Sequence, residues 1–128
     1  AWAGKRLPTE IEWEIAARYF DVTNRPRAGA NQMTSGYLRP IPAGEVDPKA
    51  PIGMLGDVWE WTNSAYSPYP RFETAAGAVG EYNGKFMVNQ MVLRGASCCT
   101  APGHTRITYR NFFYPHQRWP FAGFRLAI

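Results

Sequence analysis

An α+β fold, loop-rich with short antiparallel strands and one clear N-terminal helix, is predicted by three observations. Twelve Gly and eleven Pro in 128 residues interrupt the chain too often for many long elements. One segment, Leu7 to Phe20, carries a complete helix-start signature. The apolar runs in the second half are short and mix with polar residues in the manner of strands. A composition that is 45% hydrophobic and 15% aromatic is globular, and the length suits about one domain or part of one.

The elements follow in chain order. Ala1 to Arg6 reads as the end of an element, because a Gly followed by a basic pair is the pattern found just past a helix C-terminus. With no initiator Met, the chain is expected to be a fragment carrying an incomplete domain. The helix is expected over about 9–20: Thr9 is its N-cap, Glu12 closes a capping box, and acidic side chains fill the first turn. Ile11, Ile15 and Tyr19 fall on one face at i, i+4 and i+8, with Trp13, Ala16, Ala17 and Phe20 widening the stripe, so the helix is expected to be mostly buried. Residues 21–52 show no period of either kind, and Pro26, Pro40, Pro42, Pro48 and Pro51 make them a long loop.

Gly56 to Thr62 places Trp59 and Trp61 around a carboxylate, Glu60, in a short core strand. A buried carboxylate needs backbone amides or an Arg as partner. A second reading takes Asp57 and Glu60, with nearby carbonyls, as oxygen ligands for Ca2+. In the irregular segment from Ser64 to Gly80, Tyr66, Tyr69 and Phe72 alternate with prolines. Such aromatics more often pack a loop onto its own domain than line a substrate. Asn83-Gly84 is a strong hairpin signal, and a strand is expected over about 86–94. Further strands are expected over about 105–110, from its polar and apolar alternation, and 122–128, with Phe124, Leu126 and Ile128 on one face. Asn111 to Pro115 reads as a loop between them.

Charge and cysteine content exclude several classes. The net charge of +4 comes from eleven Arg and three Lys scattered singly, without the clustered stripe of a nucleic-acid binder. No apolar run approaches the ~20 residues of a membrane span, and no signal peptide is recognisable, so the expected compartment is the cytoplasm. Cys98 and Cys99 are adjacent, which strains disulfide geometry and argues against a stapled secreted fold.

Four ordered blocks carry a resemblance: Gly4 to Glu14, Gly56 to Thr62, Leu93 to Ser97, and Gly123 to Ala127. Together they resemble the formylglycine-generating-enzyme-type domain, a variant of the C-type lectin fold, over residues 1–128. Within that superfamily, Ala75 to Gly95 and Tyr109 to Phe113 are most similar to the C-terminal domain of ergothioneine-type sulfoxide synthases. Those oxidoreductases are non-haem iron enzymes that use O2 to join a thiol sulfur to the imidazole of hercynine, a trimethylated histidine. Selenium-inserting relatives share the architecture.

The resemblance implies Fe(II) in the complete enzyme, held by three histidines mainly from an N-terminal helical domain, so the ligands are expected outside this chain. Only His104 and His116 are present, and the chain alone is expected to be inactive without its missing N-terminal portion. The resemblance also implies that Asn111, Phe112 and Phe113 line the hercynine pocket, where aromatic faces would attract a trimethylammonium group. Arg106, Arg110 and Arg118 are candidate partners for its carboxylate, each with the alternative of bridging a carboxylate or loop carbonyls of the protein. Relatives that use γ-glutamylcysteine carry an acidic residue just after the aromatic where Phe113 stands; its absence favours cysteine or another donor. Ala96 stands where a Gly is usual, and Cys99 where an Ala is.

Two alternatives remain open. Formylglycine generation, a copper-assisted oxidation, needs two cysteines about five residues apart, which adjacent Cys98 and Cys99 do not supply. A lectin-like ligand-binding module without catalysis is the other, since one fold hosts many functions. A sheet lacking its first strand would expose an edge, which the missing portion or another copy is expected to cover.

Overall fold

In the computed structural model, residues 3–23, 30–43, 51 and 53–128 are described. The expected loop over 21–52 lies partly outside them, as do Ala1, Trp2, Pro26 and Pro48. Helix α1 spans Glu10–Tyr19. Thr9 Oγ1 accepts from the Glu12 backbone N–H at 3.2 Å, and the Glu12 carboxylate accepts from the Thr9 N–H at 2.8 Å. Both halves of the capping box form as the sequence predicts. The helix ends at Phe20, whose N–H reaches the Ala16 carbonyl, and Asp21 then turns left-handed at φ 49°.

The face that α1 buries differs from the expectation. Trp13, Ala17 and Glu10 are buried, whereas Ile11, Ile15 and Tyr19 are 65%, 61% and 81% exposed. Trp13 and Ala17 join Met54 in the core, with Ala16, Val22, Leu55 and Ile107 packed around them. At about 100° per residue, Trp13 and Ile15 point to nearly opposite sides of the helix, so only one of the two apolar sides can meet this core.

A four-stranded mixed sheet provides the other layer. Its strands are β1 (Trp59–Ala65), β2 (Met91–Gly95), β3 (Asn111–Phe113) and β4 (Ala122–Phe124), in the order β3-β2-β1-β4. β2 runs antiparallel to both β1 and β3, with Glu60 opposite Arg94 and Val92 opposite Phe112. β4 lies parallel to β1, which departs from the all-antiparallel expectation. Gly95 closes β2 at φ 94°, and a Cβ there would sit 2.6 Å from the Met54 carbonyl. Among the described residues, β3 and β4 form the edges, and past β4 only the bridge from Arg6 to Ala127 extends the pairing.

Five sequence expectations are corrected. Asn83-Gly84 does not make a hairpin turn. It ends a short helix, α2 (Ala78–Gly84), in which Glu81 pairs with Lys85 at 3.8 Å and a Cβ at Gly80 would meet the Ala75 carbonyl. The strand expected from residue 86 starts only at Met91, because Phe86 and Met87 still donate back to Asn83 and Gly84. Residues 105–110 form no strand: Arg94 takes the carbonyls of Ile107 and Thr108 at 2.6 and 3.4 Å, and Tyr109 N–H turns back to Arg106. The expected loop at Asn111 is instead β3, and the last strand stops at Phe124.

Candidate substrate-binding site

Alternation along the strands divides the candidate residues between two faces. Glu60, Arg94, Val92 and Phe112 lie on the face toward α1, while Trp61, Leu93, Asn111 and Phe113 lie on the other. Trp13 Nε1 donates to Glu60 Oε2 at 2.5 Å, and the Arg94 guanidinium sits 5.5 Å from the Trp13 ring. Arg94 is wholly buried, and it pairs with Glu14 and lies 3.7 Å from Glu10. Burial opposes ionisation of Glu14, yet hydrogen bonds from Arg18 and Arg94 outweigh it and hold the carboxyl below the usual carboxylate range.

Phe112 and Phe113 are thereby separated. Phe112 stacks on Tyr66 at 4.1 Å between ring centroids with an interplanar angle of 9°, and lies 5.9 Å from Phe86, which in turn touches Tyr82. Phe113 meets Trp119 edge-on at 5.9 Å on the opposite face. The Asn111 side-chain oxygen accepts from the Phe112 N–H at 2.9 Å, a local turn contact.

Arg110 underlies the aromatic stack. Its guanidinium lies 4.8 Å from the Tyr66 ring and 4.3 Å from the Tyr69 ring. Its Nε and Nη2 donate to the two Glu10 oxygens at 2.9 and 2.8 Å, and Nη1 donates to the Ser67 carbonyl at 3.0 Å. Of the two readings for Arg110, the geometry displays the bridge to a carboxylate and a loop carbonyl. Arg106 is exposed and lies 5.6 Å from the Tyr109 ring; Arg118 is exposed as well. The structure therefore assembles Phe112 and Arg110 with Glu10, Tyr66, Tyr69 and Phe86.

Those additional members left only weak marks in the sequence. Glu10 reads there as a charge at a helix start, and Tyr66 and Tyr69 as loop packing. Only the fold brings Glu10 across 100 residues to Arg110.

The metal-binding expectations meet a different arrangement. Glu60 is bidentate to Arg125, with Nε donating to Oε2 at 2.6 Å, and also accepts from Trp13. Asp57 Oδ1 accepts from Asn31 Nδ2 at 2.7 Å and from the Ile41 N–H at 3.1 Å. The two carboxylates thus serve separate protein donors, and this pair does not fit a shared calcium site. Among the described residues, no three His, Cys, Asp or Glu side chains gather as a metal site. His104 packs on Tyr109 and His116 on Tyr114, both exposed, so these histidines do not fit an iron centre. Cys98 and Cys99 are free thiols; burial and hydrogen bonding with Cys99 push Cys98 up to about 11, away from the reactive thiolate. No helix among the described residues is long and apolar enough to cross a membrane.

The chain is 39% identical over 142 residues to the hercynine oxygenase of Mycobacterium tuberculosis, an alignment covering 99% of this chain and 33% of that protein. It is 38% identical over 144 residues to the hercynine oxygenase of Mycolicibacterium smegmatis, covering 99% and 34%. A mouse protein named inactive C-alpha-formylglycine-generating enzyme 2 is 32% identical over 152 residues, covering 99% and 44%. The chain therefore spans about a third of the length of these two hercynine oxygenases. The model of the sulfatase-modifying factor enzyme 1-like domain matches residues 1–128. With the α+β arrangement above and these relatives, the chain belongs to the sulfatase-modifying factor enzyme 1-like family.

Proposed function

We propose that this chain is the C-terminal substrate-pocket domain of an iron- and O2-dependent sulfoxide synthase. The enzyme would join a thiol sulfur, from cysteine or a related donor, to the imidazole of hercynine in ergothioneine-type biosynthesis. The observation that carries this reading is the 39% identity to a hercynine oxygenase across 99% of the chain. The iron ligands would come from elsewhere in the longer polypeptide, a reading supported by the relatives' greater length. A role as a formylglycine-generating oxidase is less well supported, because the two thiols are adjacent and Cys98 is buried.

This chain's contribution is binding. Phe112 and Phe86 offer aromatic faces on one side of β3, with the buried Tyr66 ring stacked on Phe112 and close to Arg110 behind them, and a trimethylammonium group is attracted to such faces. Arg110, tied to Glu10 and Ser67, holds Tyr66 and Tyr69 in place. Arg106 and Arg118, on exposed loops, would supply anion partners, while Asn111 and Phe113 face the other side of the sheet and would line a separate surface.

The test uses the full-length protein with ferrous iron, O2, hercynine and cysteine, followed by mass spectrometry of the products. A hercynine–cysteine sulfoxide is expected. Loss of the Phe112 ring in Phe112→Ala should raise the hercynine KM by roughly twofold to thirtyfold, corresponding to a cation–π contact of about 0.5–2 kcal/mol. Hercynine binding without turnover, with any thiol tried, would favour the lectin-like module; absence of hercynine binding would overturn the reading.

A further inference from the structure

We propose that the Ile11, Ile15 and Tyr19 stripe of α1 is an intramolecular docking surface, covered by the remainder of the polypeptide to which this segment belongs. This inference rests on the family membership and on the length of the relatives, not on the identity of the substrate.

Three observations lead to it. First, α1 is apolar on two opposite sides. One side meets the sheet through Trp13 and Ala17, while the other leaves Ile11, Ile15 and Tyr19 at 65%, 61% and 81% exposure. A helix with apolar side chains on two opposite sides can bury both only when it lies between two layers. Second, the helix cannot roll to hide the stripe, because Glu10 and Glu14 tie it inward to Arg110 and Arg94. Third, the stripe continues into a groove of about 360 Å³ bordered by Ile11, Ile15, Tyr69 and Thr108, with Tyr69 51% exposed.

The chemistry of the patch selects the occupant. Its charged members, Glu14 and Arg18, are paired with each other at 2.7 Å, so the surface offered is apolar and locally neutral. Such a surface suits a permanent interface, which resembles a domain core cut in half. A stripe of this size is small beside the roughly 1,200–2,000 Å² that stable association between separate proteins buries. A covalently linked partner needs less area, because linkage makes docking intramolecular at high effective concentration. About two thirds of each hercynine oxygenase lies outside the matched region, which is ample polypeptide to supply that layer. The i, i+4, i+8 ridge suits a helix packed against it.

Hydroxyl-radical footprinting of the unsubstituted full-length protein tests the proposal without any variant that could fail to fold. For Tyr19 and Ile15, the oxidation rate of the native protein is divided by the rate in urea, and size-exclusion chromatography on the same samples reports the association state. A reduction of about tenfold in a monomer is expected if neighbouring polypeptide excludes water from both side chains. A ratio near one in the native monomer would overturn the proposal. Protection that disappears when a dimer is diluted to monomer would also overturn it, because the occupant would then be a second copy. None of these outcomes depends on hercynine turnover, so the docking surface and the proposed reaction fail separately.

Discussion

Glu60 shows how one side chain serves two ends of the sequence. Only 5% exposed, it receives Trp13 from the helix side and Arg125 from beyond β4. That a carboxylate between two tryptophans needs a donor was legible in the sequence, since burial without one is costly. Which of eleven arginines would answer was not, because Arg125 lies 65 residues away and arrives only when β4 aligns with β1. Replacing Glu60 by Ala should destabilise the protein by about 2–3 kcal/mol, since it removes the acceptor that the Trp13 indole N–H and the Arg125 guanidinium share. The shift of the denaturant midpoint measures this, and a change below about 1 kcal/mol would mean that Arg125 finds water instead.

At the level of one element, α1 separates what local chemistry specifies from what packing chooses. Its start is a local matter: Thr9 and Glu12 satisfy each other's backbone donors, and Arg6 adds a bidentate pair to Glu12 at 2.7 and 2.6 Å. Hydrogen bonds from Arg6 and Thr9 lower the Glu12 carboxyl to about 2. A depressed carboxyl stabilises the fold above its unfolded pKa near 4.5 and loses that contribution as pH falls toward 2. The stability difference between the natural protein and Glu12→Gln should therefore persist at pH 7 and shrink between about pH 4.5 and pH 2, read by urea denaturation across that range. A difference that grows in acid would contradict the cap's electrostatics. Thr9→Ala should cost about 1 kcal/mol at pH 7, where its hydroxyl serves both the Glu12 N–H and the Glu12 carboxylate. The buried face was not legible, because α1 carries apolar residues on two sides and periodicity weighs both alike.

Across the whole molecule, arginines and glutamates far apart in sequence bind helix to sheet. Arg94 on β2 reaches Glu14 and Glu10 on α1, and Arg110 before β3 reaches Glu10 as well. Glu14 is held below its usual range by Arg18 and Arg94 despite the opposing effect of burial, so its stabilising share is present above its unfolded pKa and is lost as pH falls through the folded one. The protection factors of the α1 amides, corrected for the slower intrinsic exchange in acid, should accordingly fall on acidification more in the natural protein than in Glu14→Gln, and an equal fall would show that this link does not anchor the helix. The sequence alone determined the capped helix, the α+β class, the need of Glu60 for a partner and, by resemblance, the family, because each is written in neighbouring residues or ordered blocks. Only the tertiary structure decided that Asn83-Gly84 ends a helix, that β4 joins β1 in parallel, that Phe112 and Phe113 part to opposite faces, and that Glu10 and Arg110 meet beneath Tyr66 and Tyr69. The physical reason is that turn type, strand partner and side-chain face depend on contacts between distant segments. Those contacts outweigh local preferences of about 1 kcal/mol or less.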